Sequence, residues 1–123
     1  MIIERFIEIP IFGGLLDIII DEDIVNRRIE NNHLFGEYKS NQIPSAIFSY
    51  NGSRYGLFFT FECGIDEIVH EIFHLTFRIF QNINTKLDEN TNEVFAYMQG
   101  YLMKIVLSVY EKNNINLGIM NVR

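Results

Sequence analysis

Several classes of protein are excluded by what this sequence has little of. It contains one cysteine and no tryptophan. A single cysteine, Cys63, allows neither an internal disulfide nor a cysteine-based metal cluster. Basic residues are also few: ten Lys and Arg stand against sixteen Asp and Glu, which gives a formal net charge of -6. Because no basic block is present to neutralise phosphates, we expect no binding of nucleic acid.

Long apolar segments are missing as well. No apolar run approaches the ~20 residues that span a bilayer, so we expect no membrane association. The N-terminus, MIIERFIEIP, lacks the basic start, apolar core and small-residue cleavage site of a signal peptide. These features predict an intracellular protein or one carried in an assembled particle.

What is present is a composition typical of one folded domain. The 123 residues are 48% hydrophobic and 21% charged, which is a globular mixture rather than a disordered one. A chain of this length can bury a substantial core. No repeat, linker or low-complexity segment interrupts it, so residues 1–123 are predicted to form a single domain.

The first half of the chain predicts strands. Apolar segments bounded by turn residues indicate four of them, at residues 5–12 (RFIEIPIF), 15–21 (LLDIIID), 45–50 (SAIFSY) and 54–62 (RYGLFFTFE). Asn51-Gly52 is a strong signal for a hairpin between the last two. Between the second and third strands, residues 21–32 predict a short helix capped by Asp21 or Asp23, and residues 34–42 predict a loop.

The second half predicts two long helices, at residues 65–83 and 91–112, separated by the polar loop NTKLDEN. Placed at steps of about 100°, the polar residues of the first helix fall on one side and its apolar residues on the other. Asp66 is expected to cap the start of this helix. The predicted fold class is α+β, with a small mixed or antiparallel sheet packed on the two C-terminal helices.

The first long helix carries the sequence His70-Glu71-Ile72-Phe73-His74. Residues i and i+4 are neighbours on a helix, so both imidazoles can approach one metal ion. A zinc hydrolase uses three protein ligands and leaves one position for water. Glu71, next to the first histidine, is well placed to take a proton from that water as general base. The alternative is that both histidines simply belong to the solvated side of an amphipathic helix.

A third ligand must come from another part of the chain. His33 is expected in a surface loop, and Asp88 and Glu89 in a solvated one. Glu93 opens the second long helix, where it has two possible roles. It can form a capping box with Asn90, or it can face the first helix and complete a zinc site with His70 and His74.

The segment HEIFH and the segment NEVFAY, whose Glu93 lies 19 residues after His74, resemble the gluzincin arrangement. Over nearly its full length the chain resembles small zincin-like proteins encoded by bacterial viruses. The resemblance implies a minimal zincin-like fold, Zn²⁺ as cofactor, His70, His74 and Glu93 as metal ligands, and Glu71 as catalytic base. It also implies a location in the cytoplasm of an infected bacterial cell or in the virion.

Two functions follow from this resemblance. The first is a minimal metallopeptidase that hydrolyses a peptide or protein, with an extended substrate pairing to a strand such as RYGLFFTFE beside the active helix. The second is a zinc-stabilised structural or adaptor protein that contacts phage structural proteins and keeps a vestigial site. Retention of Glu71 favours the enzyme. The absence of the second subdomain of full-size gluzincins favours the structural role.

Four other side chains have open roles. Tyr97 and Tyr101 follow Glu93 by one and two turns, where they can stabilise an oxyanion or belong to the core. Arg78 lies one turn after His74 and is expected to pair with Asp88 or Glu89, although it can also hold a carboxylate or orient Glu93. Cys63 is expected to be a small buried residue rather than a reactive thiol.

Overall fold

Four strands form one mixed sheet in the computed structural model, which describes residues 1–40 and 42–115. The strands are β1 (Ile2–Glu8), β2 (Leu15–Asp21), β3 (Ala46–Asn51) and β4 (Arg54–Phe59). Their order across the sheet is β1-β2-β4-β3. The central pair, β2 and β4, is parallel, and each edge strand is antiparallel to its neighbour.

Helices cover both faces of this sheet. The short helices α1 (Ile24–Glu30) and α2 (Asn32–Phe35) pack on one face, and the long helices α3 (Ile65–Asn82) and α4 (Asn92–Lys112) belong to the core on the other. The prediction of an α+β fold with a mixed sheet and two long C-terminal helices is therefore confirmed. In the described residues no helix is long and apolar enough to cross a bilayer.

The central strands are apolar on both sides because both of their faces are covered. In β2, the side chains of Leu16, Ile18 and Ile20 enter the core beneath α3 and α4, whereas Ile19 points to α1 and α2. Alternation along the strand thus supplies two cores at once. The larger core lies beneath α3 and α4, so this face of the sheet fixes the position of the histidine helix.

Several predicted boundaries differ from the observed ones. β1 begins at Ile2 and ends before Pro10, which cannot donate to a strand ladder. Asp23 caps α1, with its carboxylate accepting from the N–H of Asn26, but part of the predicted loop after it is the short helix α2. The β3–β4 hairpin is confirmed. Asn51 pairs with Arg54, and Gly52 has a φ of +58°, a conformation that suits glycine.

The start of α3 also corrects a prediction. The N-cap is Gly64 rather than Asp66, which lies within the first turn. Glu67 reaches back so that its Oε1 accepts from the N–H of Gly64 at 3.4 Å. The two acids of the first turn lie where the positive end of the helix dipole favours them. The helix therefore begins directly after the loop that leaves β4.

Candidate metal centre

His70 and His74 lie one above the other on the exposed side of α3. Their Nε2 atoms are 3.1 Å apart, and their rings meet edge to face with centroids 4.6 Å apart. The buried side of the helix holds Ile68, Ile72 and Leu75 against the core. Because burial of these residues fixes the rotation of the helix, the two imidazoles project into solvent as a pair.

The spacing of the two Nε2 atoms suits two kinds of contact. A hydrogen bond between them requires one ring to donate and the other to accept, so at most one of them carries a charge. Two imidazoles bound to a tetrahedral zinc at Zn–N distances of about 2.05 Å have nitrogens about 3.3 Å apart. The observed 3.1 Å is thus close to the separation of zinc ligands. The separation of the two nitrogens is therefore compatible with binding of one metal ion by both rings.

Glu71 lies at the edge of the core beside this pair. Its side chain is 16% exposed, and its Oε2 is 4.0 Å from Nε2 of His70. Burial raises the pKa of the Glu71 carboxyl, an effect opposed by His70 and His74 and reinforced by Glu67. A partly buried carboxylate of this kind accepts a proton more readily than an exposed one. Glu71 thus lies close to the pair but on a different row of the helix.

Glu93 lies apart from the histidine pair. It is exposed in the first turn of α4, whose N-cap is Thr91 and not Asn90. The capping box considered for Asn90 and Glu93 is not formed. Phe95, two residues later, packs on Phe73 of α3 with ring centroids 5.3 Å apart. Residues two apart project about 160° from each other on a helix, so packing of Phe95 against α3 turns Glu93 away from it.

Among the described residues, no side chain joins the histidine pair as a third ligand. Among residues 1–40 and 42–115, no group of three or more His, Cys, Asp and Glu side chains is placed so as to hold a metal ion. His33 lies on α2, on the opposite face of the sheet. Asp88 organises the turn before α4, where its Oδ1 accepts from the N–H of Asn90 at 2.8 Å. Assignment of Glu93 as third ligand stays a prediction.

Arg78 does not form the ion pair that was expected of it. In the part of the chain that the structure describes, neither Asp88 nor Glu89 forms a salt bridge with it. Its guanidinium carbon instead lies 4.2 Å from the ring centroid of Tyr50 on β3. Its Nη1 donates to Oε1 of Gln81 at 3.1 Å. The side chain therefore bridges α3 and the edge strand of the sheet.

Several aromatic side chains of α3 and α4 are exposed, including Tyr97 and Tyr101, for which a place in the core was one of the two roles considered. Phe73 stacks on Phe77 with centroids 6.2 Å apart, and both rings are about two-fifths exposed. Tyr97 and Tyr101 are exposed on α4, with Tyr97 76% accessible. The helical wheel of α3 already placed Phe73 and Phe77 next to His70, at the border of the apolar side. Their position at this border indicates that both rings are partly exposed.

Cys63 is fully buried just before α3. Burial raises the pKa of its thiol to about 12, with smaller contributions from nearby carboxylates. A thiol with such a pKa holds its proton at neutral pH and is a poor nucleophile. The expectation of a buried, unreactive cysteine agrees with this environment.

Comparison with protein-family models, with curated proteins and with solved structures gives no match to this chain. The chemistry of the site therefore has to be argued from α3 and the elements packed beside it.

Proposed function

We propose that this protein is a zinc-dependent hydrolase, a minimal metallopeptidase of zincin type. One observation carries the proposal. Two histidine Nε2 atoms lie 3.1 Å apart on the solvent side of α3, with the partly buried carboxylate of Glu71 4.0 Å from one of them. The two histidines would bind zinc, and Glu71 would serve as general base.

Each residue has a defined role in this proposal. Zinc supplies Lewis-acid chemistry and lowers the pKa of a water molecule to near neutrality. Glu71 accepts a proton during attack on the substrate carbonyl and returns it to the leaving amine. Its partial burial supports both steps, because it raises the pKa of the carboxyl toward the range in which a proton is readily held and released.

Glu93 is the proposed third ligand. Its carboxylate forms no hydrogen bond or ion pair with another described residue, so no side-chain contact would have to be broken for it to bind a metal. Zinc binding by Glu93 requires a change in the first turn of that helix, since Phe95 fixes its present rotation. The proposal therefore includes a coupling between metal binding and the α3–α4 contact.

The proposed substrate is an extended peptide. The sequence suggested that it pairs with the strand RYGLFFTFE, which contains β4, but the order of the strands requires a different one. β4 lies between β2 and β3, so both of its backbone edges are already used. β3 is one of the two edge strands, and it packs beside α3. Backbone pairing of a substrate in the manner of strand addition is thus proposed for β3.

A second candidate function is that of a zinc-stabilised structural or adaptor protein of a phage particle. Exposed apolar side chains favour it: Ile11 in the loop after β1 is 95% exposed, and Val94, Tyr97 and Tyr101 are exposed on the neighbouring helix α4. Surfaces of this kind commonly mark contacts with other proteins. For either function we propose the cytoplasm of an infected cell or the virion as location.

Zinc content tests the shared premise of both functions. Protein purified without chelator should contain about one zinc per chain, and chelation should lower its melting temperature, because a ligand that binds only the folded state stabilises it. His70→Ala and His74→Ala should each lose the metal, whereas His33→Ala on the opposite face of the sheet should keep it. Absence of zinc even after its addition would overturn the proposal.

A further inference from the structure

The guanidinium of Arg78 has most of its hydrogen-bonding capacity unused. Arginine carries five N–H donors, and in the described residues Arg78 forms one hydrogen bond, from Nη1 to Gln81. Its Nε is buried and has no acceptor. A buried donor without a partner is costly, so such a group calls for an explanation.

Contact with Tyr50 orients the unused donors. The guanidinium carbon lies over the ring, 4.2 Å from its centroid, a distance at which a cation–π contact forms. In the described residues no acceptor occupies the edge formed by Nε and Nη2. Nη1 takes one edge toward Gln81. The remaining edge carries the hydrogens of Nε and Nη2, which point the same way and match the two oxygens of a carboxylate.

Arg78 also lies at a suitable distance from the histidine pair. It follows His74 by four residues, so its Cα is about 6 Å further along the helix. Helical side chains lean toward the N-terminus of their helix, and Arg78 lies on the same side of α3 as His74. One or two residues of extended peptide span about 3.5 to 7 Å. A peptide whose carbonyl lies at the histidine pair therefore reaches Arg78 within two residues.

We propose that Arg78 is a carboxylate-binding residue, and that the substrate is a peptide bearing a carboxylate one or two residues from the bond to be cleaved. The second half of this statement rests on the proposed hydrolase function, whereas the first half does not. Tyr50 is 43% exposed and Gln81 is exposed. Gln81 can therefore move aside for a ligand while Tyr50 keeps its contact with the guanidinium.

Two sources can supply the carboxylate. One is the free C-terminus of a peptide, in which case the protein would remove one or two residues from the end of its substrate. The other is the side chain of Asp or Glu within a longer chain. Both present the same pair of oxygens to the guanidinium, so paired probes are needed to distinguish them.

The binding test follows the Nε–H signal of Arg78 by NMR in ¹⁵N-labelled protein, with and without zinc. The probes are N-acetyl-Ala-Ala and its C-terminal amide for the first source, and N-acetyl-Glu-amide and N-acetyl-Gln-amide for the second. Arg78→Gln identifies the signal by its loss. Arg5→Gln is the matched control, because Arg5 is a partly buried arginine on β1 that donates to Ser108 on α4.

We expect a saturable shift of the Arg78 signal with the acid of at least one pair, and roughly tenfold weaker binding of the matching amide, as expected for a charge-assisted bidentate contact. Arg5→Gln should behave as the parent does. The proposal fails if acids and amides shift the signal equally, or if no acid shifts it in either the zinc-loaded or the metal-free protein.

A cleavage test separates this proposal from the proposed function. Peptides that the zinc-loaded protein cleaves should lose roughly 10- to 100-fold in kcat/KM when the carboxylate is amidated, and Arg78→Gln should remove this difference. Cleavage without discrimination would uphold the hydrolase and overturn the role of Arg78 in it. Carboxylate binding without cleavage of any peptide would uphold the Arg78 site and overturn the hydrolase and the substrate assignment.

Discussion

Arg28 and Arg78 are two arginines on opposite faces of the same sheet, and their surroundings differ sharply. Arg28 belongs to α1, and its side chain is 4% exposed between that helix, α2 and the sheet. It donates to Ser49 Oγ at 2.7 Å, to Asn32 Oδ1 at 2.8 Å, and to the carbonyls of Gly36 and Phe35. Within the part of the chain that the structure describes, Arg78 on α3 donates once, to Gln81, and its buried Nε has no acceptor.

The difference separates a group that builds the fold from one available for a ligand. The guanidinium of Arg28 on α1 donates to Asn32 of α2, to Gly36 directly after α2 and to Ser49 of β3. These hydrogen bonds connect the two short helices to the sheet. Arg78 ties nothing comparable together. It shares its side of α3 with the histidine pair and Glu71. We therefore expect substitutions on the α1–α2 face to change stability, and substitutions on the histidine side of α3 to change chemistry.

The largest expected effect is that of Glu71→Gln on hydrolysis. The replacement keeps the size and hydrogen bonding of the side chain but removes its ability to accept a proton. Peptide hydrolysis should fall roughly 10³-fold or more, while zinc content and melting temperature remain those of the parent. Kinetics on a peptide that the parent cleaves, with Glu89→Gln in the loop before α4 as control, provide the measurement.

Other results for Glu71→Gln would count against its assignment. Hydrolysis at the rate of the parent would show that Glu71 is not the base. Loss of zinc would place it among the metal ligands. If the parent cleaves no member of a broad peptide library, even with partner proteins present, the structural function becomes the better explanation of the site.

The next largest effect is that of Arg28→Met on stability. This change removes the donor of four hydrogen bonds and leaves Asn32, Ser49 and two carbonyls without it, which should lower the free energy of unfolding by about 3 kcal/mol. Chemical denaturation measures the loss. Zinc content at low temperature should stay at the value of the parent. A loss below about 0.5 kcal/mol would contradict the structural role given to Arg28.

A smaller effect, also on the α1–α2 face, concerns Asp21 and acid. Burial alone would raise the pKa of Asp21, but hydrogen bonds from Arg27 and from the N–H of Glu22, together with the charge of Arg27, hold it below its usual 3.8. A lowered pKa contributes stability that is complete above the pKa of the unfolded state and is lost as the pH falls through that of the folded state.

Asp21→Asn should therefore melt below the parent at neutral pH, and the difference should shrink as the pH falls below about 4. Thermal melting of both proteins over that range is the measurement. A difference that does not depend on pH would show that charge on Asp21 contributes nothing to stability.

The smallest expected effect is that of Arg78→Gln on stability. Because Arg78 has one hydrogen bond and a stacking contact with a half-exposed ring, its replacement should change the free energy of unfolding by no more than about 0.5 kcal/mol. Denaturation beside Arg28→Met gives the direct contrast between the two arginines. A loss as large as that of Arg28→Met would show that Arg78 is a structural residue and would remove the contrast.

Local patterns predicted most of the secondary structure, because each depends on neighbours in sequence. The amphipathic period of α3 placed His70, Glu71 and His74 on its polar side, and the Asn51-Gly52 signal located the hairpin. The rotation of α4 depends on a tertiary contact, the packing of Phe95 on Phe73. The hydrophobic periodicity of α4 does not show which side of the helix faces α3. The direction of the Glu93 side chain was therefore not predictable.

Strand order and the contact partner of Arg78 could not be predicted from the sequence either, because both depend on tertiary packing. β4 lies between β2 and β3, so neither of its backbone edges is free to pair with a peptide. The sequence of residues 54–62 does not reveal these neighbours. Asp88 and Glu89 were expected to pair with Arg78 because they lie near it in the sequence. The packing of α3 beside β3 instead places the Arg78 guanidinium over the ring of Tyr50.

The two edges of the sheet also differ in the charge they carry, and this has a consequence for solubility. β1 includes Glu4, Arg5 and Glu8, and charges of this kind oppose edge-to-edge association, whereas β3 (Ala46–Asn51) has no charged residue. Molecules with a formal charge of -6 repel one another at neutral pH. As the carboxylates and histidines take up protons, the net charge falls to zero at the isoelectric point of about 4.9, where that repulsion is weakest, and aggregation of concentrated protein should then begin at β3.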